Sequence, residues 1–204
     1  MIKSIYIELL EDFGVNLSSA ENLWREINAN YSNKNRHYHN LKHLEDLYSE
    51  LETVKDRIHN WTVMLFTLFY HDIIYKSTKK DNEEKSAELA VKRMTEIGMQ
   101  ESAATLCFEQ IMATKSHKEN SDSDTNYFTD ADLSILGRTP INYKTYCLNI
   151  RKEYAIYPDF LYNKGRKKVI NHFLSMKKIF KTEEFYNRYE EQAKLNLQQE
   201  LLSL

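Results

Sequence analysis

Apolar residues recur along this chain at intervals of three and four, the spacing of one face of a helix. Leu9, Leu10 and Phe13 mark a first helix that Gly14 ends, and Ser18 and Ser19 are placed to cap a second, running through Trp24 and Ile27 to about Tyr31. Ser32 to Arg36 is polar and reads as a loop. Asn40 or His39 then opens a third helix whose buried stripe is Leu44, Leu47 and Leu51. Asn60 is placed to cap the next helix, Trp61 to Ile74, which is apolar almost all round and is therefore expected at the centre of the fold. After a charged loop, Lys76 to Asp81, helices from about Asn82 to Ile97 and from Glu101 to Ala113 flank Gly98. Lys118 to Asn126 is the longest polar stretch and is expected to be a mobile loop. A short helix from Tyr127 to Leu136 ends at Gly137, Pro140 sits near the first turn of a helix to about Tyr157, and Pro158 opens another to about Ile179. Thr182 caps a last amphipathic helix. The pattern predicts an all-α bundle of roughly eight to ten helices, forming one domain over residues 1–204.

Composition agrees with this pattern. The 204 residues include only 4 Gly and 2 Pro, too few breakers for a fold rich in hairpins. Hydrophobic residues make up 42% and charged residues 28%, ordinary for a globular chain. Twenty-eight basic residues against 30 acidic ones give a net charge of −2, and no basic stripe with interleaved aromatics appears. A nucleic-acid partner is therefore not expected. Cys107 and Cys147 lack metal-type spacing, which argues against a disulfide framework and for a reducing compartment. Met1 to Phe13 does not read as a signal peptide, and the longest apolar run, Val63 to Tyr70, is too short to span a bilayer. A cytoplasmic protein without membrane contact is the expectation.

The chemistry is concentrated in a few places. His71-Asp72 follows the apolar run VMLFTLFY, where an unpartnered carboxylate would be costly. A bound cation, with the adjacent imidazole as a second ligand, would supply the partner; a core histidine beside a salt-bridged Asp would explain the pair equally well. Upstream, in Arg36-His37-Tyr38-His39-Asn40-Leu41-Lys42-His43, the four-residue spacing of His39 and His43 places both on one face of a helix. Such a pair is either metal-facing or a pair of surface histidines. Four of the seven histidines fall in these two segments, which favours chemistry. Downstream, Asp130 and Asp132 lie in Phe128-Thr129-Asp130-Ala131-Asp132-Leu133-Ser134, a segment that otherwise reads as buried. One of the two can cap the helix while the other faces water.

His43, then His71-Asp72, then Asp132 resembles the H…HD…D signature of the HD-domain superfamily of metal-dependent phosphohydrolases. Tyr38-His39-Asn40-Leu41-Lys42-His43 looks like the YHNxxH stretch of cyclic-nucleotide phosphodiesterases, and Ala131-Asp132-Leu133-Ser134 looks like their ADLS segment. The resemblance extends over nearly the whole chain to a small bacterial family of predicted metal-dependent HD phosphohydrolases, through RHYHNLKHL, FYHDIIY, DNEEKSAELA, IMATKSH, FTDADLSILG and IRKEYAIYPDF. The separation of His43 from His71 is shorter than in the large phosphodiesterases, whose C-terminal substrate pocket this chain lacks, so cyclic-nucleotide specificity is not inherited.

The resemblance implies an HD-domain, phosphodiesterase-like helical bundle with His43, His71, Asp72 and Asp132 as metal ligands and His39 as the acid for the leaving group. Whether Asp130 or Asp132 is the last ligand stays open, and Asp132 is favoured by the ADLS match. A set of imidazoles and carboxylates suits Mn²⁺, Fe²⁺, Co²⁺, Ni²⁺, Zn²⁺ or Mg²⁺. Asp72 is expected to orient the attacking water as well as to bind the ion. Phosphate needs further cations, for which Arg36 is the first candidate, with Lys115 and His117 at the pocket mouth. His117 is equally a candidate for a second ion or for a surface position. Glu83 is expected to orient a ligand histidine or a water. Arg151 and Tyr154, three residues apart on one helical face, could reach a substrate together or form a solvated surface. The implied activity is hydrolysis of a nucleotide or another small phosphorylated metabolite. The alternative is a non-catalytic module that binds metal and nucleotide as a sensor or interaction partner. Homo-oligomerisation is left open.

Overall fold

The computed structural model describes residues 1–204 and contains ten α-helices and no strand. The all-α expectation holds, and no helix is long and apolar enough to cross a membrane. The chain divides into two compact units, 1–129 and 130–204.

The first unit comprises α1 (Ile2–Glu11), α2 (Leu17–Tyr31), α3 (Leu41–Glu52), α4 (Trp61–Tyr70), α5 (Asn82–Glu96), α6 (Glu101–Ala113) and the start of α7 (Ser123–Leu133). Every residue of α4 from Val63 to Tyr70 is buried, and this helix packs against α1, α3, α5 and α6. Its all-round apolarity therefore has the predicted consequence. Asn60 caps α4 by accepting from the Val63 N–H at 3.0 Å. Asp124, itself buried, accepts from the N–H groups of His59 and Asn60 at 2.9 and 2.8 Å and so holds the chain entering the helix. At the other end, Tyr70 and Tyr6 of α1 share a buried hydroxyl contact of 2.7 Å. Arg93 of α5 reaches Glu26 of α2 through two hydrogen bonds of 2.7 and 2.9 Å. The predicted stripe of α3 is buried as well.

Several boundaries differ from the pattern, each for a local reason. Asn16, not Ser18 or Ser19, caps α2 by accepting from the Ser19 N–H. The central helix ends at Tyr70 instead of Ile74, with His71 as its C-cap. Helix α7 begins at Ser123, inside the stretch expected to be loop, because Asp122 accepts from both the N–H and the hydroxyl of Thr125, at 2.8 and 2.6 Å. The Ser-, Asp- and Asn-rich composition there signals a helix start, not a mobile connection. Helix α7 then runs unbroken to Leu133.

The second unit contains a 3₁₀ turn (Ser134–Gly137), α8 (Pro140–Glu153), α9 (Asp159–Ser175) and α10 (Glu183–Ser203). Pro140 lies in the first turn of α8, Pro158 precedes α9 and Thr182 precedes α10, as the sequence predicts. The 3₁₀ turn packs closely on α10: a Cβ at Gly137 would lie 2.5 Å from the Cβ of Tyr189, so only glycine fits. Arg166 of α9 is buried and pairs with Glu200 of α10 through hydrogen bonds of 2.7 and 2.9 Å. The hydroxyl of Tyr143 donates to the same carboxylate.

Asp130 is fully buried, and its carboxylate accepts from the N–H groups of Lys181 and Thr182, the Thr182 hydroxyl and the Lys181 ammonium. It anchors the entry to α10. Removing it would strand a buried ammonium and two backbone donors. Asp130→Ala is expected to cost about 3–5 kcal/mol of stability, measured as the shift in urea midpoint of the metal-free protein. A change below about 1 kcal/mol would refute the anchoring role.

Candidate metal centre

His43 is the third residue of α3, a position set by its cap. The side-chain carbonyl of Asn40 accepts from the N–H groups of Lys42 and His43, so the helix starts at Leu41. His39 therefore lies just ahead of the helix and not on a helical face with His43, as the spacing had suggested. The two rings nonetheless stay close, their centroids 5.8 Å apart. His39 stacks on Tyr75 at 4.3 Å, and its Nε2 is 3.8 Å from Asp72 Oδ2.

His71 is positioned by the end of α4. Its N–H donates to the Thr67 carbonyl, and its Nδ1 lies 2.9 Å from the Leu68 carbonyl. A carbonyl only accepts, so Nδ1 carries the proton, and in the neutral ring Nε2 keeps its lone pair. That Nε2 faces His43 Nε2 at 3.1 Å, and Asp72 Oδ2 is 3.3 Å away. Both histidines are buried, while Asp72 keeps 19% of its side-chain surface exposed. Two imidazole nitrogens bound to one divalent ion at about 2.0–2.1 Å would lie roughly 2.8–3.4 Å apart for angles between square and tetrahedral. The observed separation falls in that range.

Phe128 of α7 packs its ring on His71, with centroids 5.4 Å apart. Asp132 is the next residue but three along the same unbroken helix and so lies one turn further on the Phe128 face. His43, His71 and Asp132 form a group of side chains that could hold a metal ion. Asp130, the other candidate for the last ligand, is committed to the residues preceding α10.

Arg36 is buried, and its guanidinium is turned inward. Nη1 donates to the carbonyls of Asp72 and His39 at 2.6 and 3.2 Å, and Nη2 donates to the carbonyl of Ile73 at 2.7 Å. The rings of Tyr31 and Tyr75 flank the cation at 4.8 and 5.6 Å. This side chain ties the loop before α3 to the turn after α4, the two segments that carry the histidines. Tyr31 adds to the same junction by accepting from the Asp72 N–H at 3.3 Å.

Glu83 is in the first turn of α5. Lys115, after α6, donates to Glu84 and to the Lys80 carbonyl, and that pairing raises the ammonium pKa above its ordinary value while lowering that of Glu84. His117 takes a left-handed φ of 52° at the end of α6 and lies outside the His43, His71 and Asp132 group. Arg151, in the second unit, donates to Asp159 and to the carbonyls of Tyr154 and Tyr157, and its cation lies 4.7 Å from the centre of the Tyr162 ring. Arg151 and Tyr154 thus meet through the α8–α9 turn, with the Tyr154 backbone as the acceptor. Sequence reasoning missed Tyr31, Tyr38 and Tyr75 as neighbours of the histidines. Tyr38, whose ring centre is 5.0 Å from that of His43, and Tyr75, four residues after His71, were close enough in sequence to suggest a part.

Comparison with models of protein families, with curated proteins and with solved structures finds no match.

Arg36→Ala would leave three backbone carbonyls of this junction without their charged donor. The expected cost is about 2–4 kcal/mol, read from urea unfolding in chelator, with faster amide exchange at residues 37–40 and 72–74. Arg36→Lys should not restore stability, because one ammonium cannot reproduce the planar fork. Full rescue by lysine would show that charge alone holds the junction.

Proposed function

We propose that this chain is a metal-dependent phosphohydrolase acting on a nucleotide or another small phosphorylated metabolite. The observation that carries the proposal is the pair of buried imidazoles, His43 and His71, with Nε2 atoms 3.1 Å apart and the His71 tautomer set by a backbone carbonyl. Two ring nitrogens brought together in this way, one of them with a bare lone pair and with carboxylates nearby, suit a divalent ion. Support also comes from the ordered resemblance of His43, His71-Asp72 and Asp132 to the HD signature.

In this reading His43, His71, Asp72 and Asp132 hold the ion, with its identity among Mn²⁺, Fe²⁺, Co²⁺, Ni²⁺, Zn²⁺ and Mg²⁺ left to experiment. When bound, such an ion supplies Lewis acidity toward a phosphoryl oxygen and makes water a better nucleophile near neutral pH. Asp72, with Oδ2 between His39 and His71, accepts a hydrogen bond from the attacking water and aligns it. His39, less buried than the two ligand imidazoles, donates its proton to the leaving oxygen. The tilted contact with the Tyr75 ring holds the imidazole in place.

The test is phosphate release from a panel of nucleotides and sugar phosphates by metal-stripped protein given Mn²⁺, Co²⁺, Ni²⁺ or Mg²⁺. His39→Gln is expected to lower kcat by about 10²–10⁴-fold while metal stoichiometry, followed by calorimetry, stays at the wild-type value. Asp72→Ala is expected to abolish turnover. Stoichiometric metal binding with no turnover on any substrate would instead support a sensor module, and absence of metal binding would remove the site itself.

A further inference from the structure

The first unit holds an open surface pocket of about 310 Å³, walled by the end of α2, the following loop and the start of α3. Its lining includes Asn33, Lys34, Arg36, Asn40 and Lys42, and no Asp or Glu contributes to it. The charge balance around Arg36 makes this cavity unusual. Only 9% of the residue is exposed, and its nitrogens meet carbonyl oxygens, which satisfy hydrogens but bring no net negative charge. It forms no ion pair, so the guanidinium is met by carbonyl dipoles and by no carboxylate in direct contact. Its Nε–H has no acceptor in the protein and is not sealed from solvent, and the residue lines this pocket. Lys34, exposed at the rim, is likewise in no ion pair, while Lys42 shares its charge with Asp46.

We infer that this cavity is a binding pocket for a phosphoryl group, distinct from the group being hydrolysed, with Arg36 at its base and Lys34 and Lys42 at its rim. A fixed guanidinium with two mobile ammonium groups suits a tetrahedral dianion, which has oxygens for all three and charge enough to offset a buried cation. Asn33 and Asn40 add amide groups without adding charge. Because Arg36 also holds the carbonyls of His39 and Asp72, an anion bound here would stiffen the histidine site. The assignment of the bound group to a substrate with two or more phosphoryl groups rests on the hydrolase reading; the pocket itself does not.

The experiment is calorimetric titration of the metal-stripped, full-length protein with inorganic phosphate, pyrophosphate and, as an uncharged control, adenosine. Saturable binding of the two anions and none of adenosine is expected. Lys34→Ala/Lys42→Ala, at two exposed positions, should weaken anion binding by about tenfold with an unchanged urea midpoint. Binding that appears only after Mn²⁺ is added would place the anion at the histidines and overturn the pocket. Equal affinity of wild type and the double variant, or no saturable binding, would overturn it as well. Tighter binding of pyrophosphate than of phosphate supports linked phosphoryl groups of a substrate, and equal affinity rejects that assignment in favour of free phosphate. Turnover is not read, so failure of the hydrolase reading leaves these outcomes separate.

Discussion

The guanidinium of Arg36 meets the carbonyls of Asp72 and Ile73, and on that contact depends how the chain leaves a helix with no water-facing side. Helix α4 is buried from Val63 to Tyr70, so its last carbonyls cannot be satisfied by solvent as those of a surface helix are. The chain turns at once into a segment whose polar groups are each met: the Asp72 N–H by Tyr31, the Ile74 N–H by Ser86, and the carbonyls of Asp72 and Ile73 by Arg36. Because Arg36 also holds the His39 carbonyl, the loop leading into α3 is fixed by the same ion. His43 and His71 come from helices joined by a long connection, and the site's geometry follows from this shared clamp more than from either helix alone.

Much of this was legible in the sequence. The all-round apolar run of α4, the stripe of α3 and the caps Asn40 and Asn60 could be read because each rests on a local rule with a fixed spacing. The burial of His71 at the end of an apolar run followed from the same pattern. Part of what could not be read depends on partners distant in sequence, and part on local signals with two meanings. Arg36 reads as a ligand for phosphate, but that its Nη groups also hold the carbonyls of a turn some thirty-six residues away is not visible in the sequence. His39 looks helical by spacing, but one Asn side chain decides which residue is first in α3. The start of α7 was misread because Ser, Asp and Asn favour both loops and helix caps, and composition cannot tell one from the other.

The two aspartates of α7 show how far packing separates similar residues. Asp130 and Asp132 sit two apart in a short motif, and by sequence either could cap or ligate. Asp130 has every oxygen engaged by Lys181 and Thr182, so it is a structural carboxylate inside the second unit. The same holds for other polar residues there. Arg166 with Glu200, and Arg151 with Asp159, are each held by two or more hydrogen bonds. Their charge is used to fix helices and turns, which is why a polar cluster in the sequence is weak evidence for a ligand.

For His43 and His71 the opposite argument applies. A buried imidazole pair that served packing alone could share one proton between the two ring nitrogens, since protonating both rings would bury like charges. The Leu68 carbonyl removes the freedom of His71 to choose its tautomer, so its bare Nε2 must be met by a proton on His43 or by a cation. A proton would satisfy the pair but leave the Asp72 carboxylate 3.3 Å from a His71 nitrogen that has no hydrogen to donate to it. A cation would account for the nitrogens and the carboxylate together, and it would explain why a chain tolerates so polar an ending on its most apolar helix.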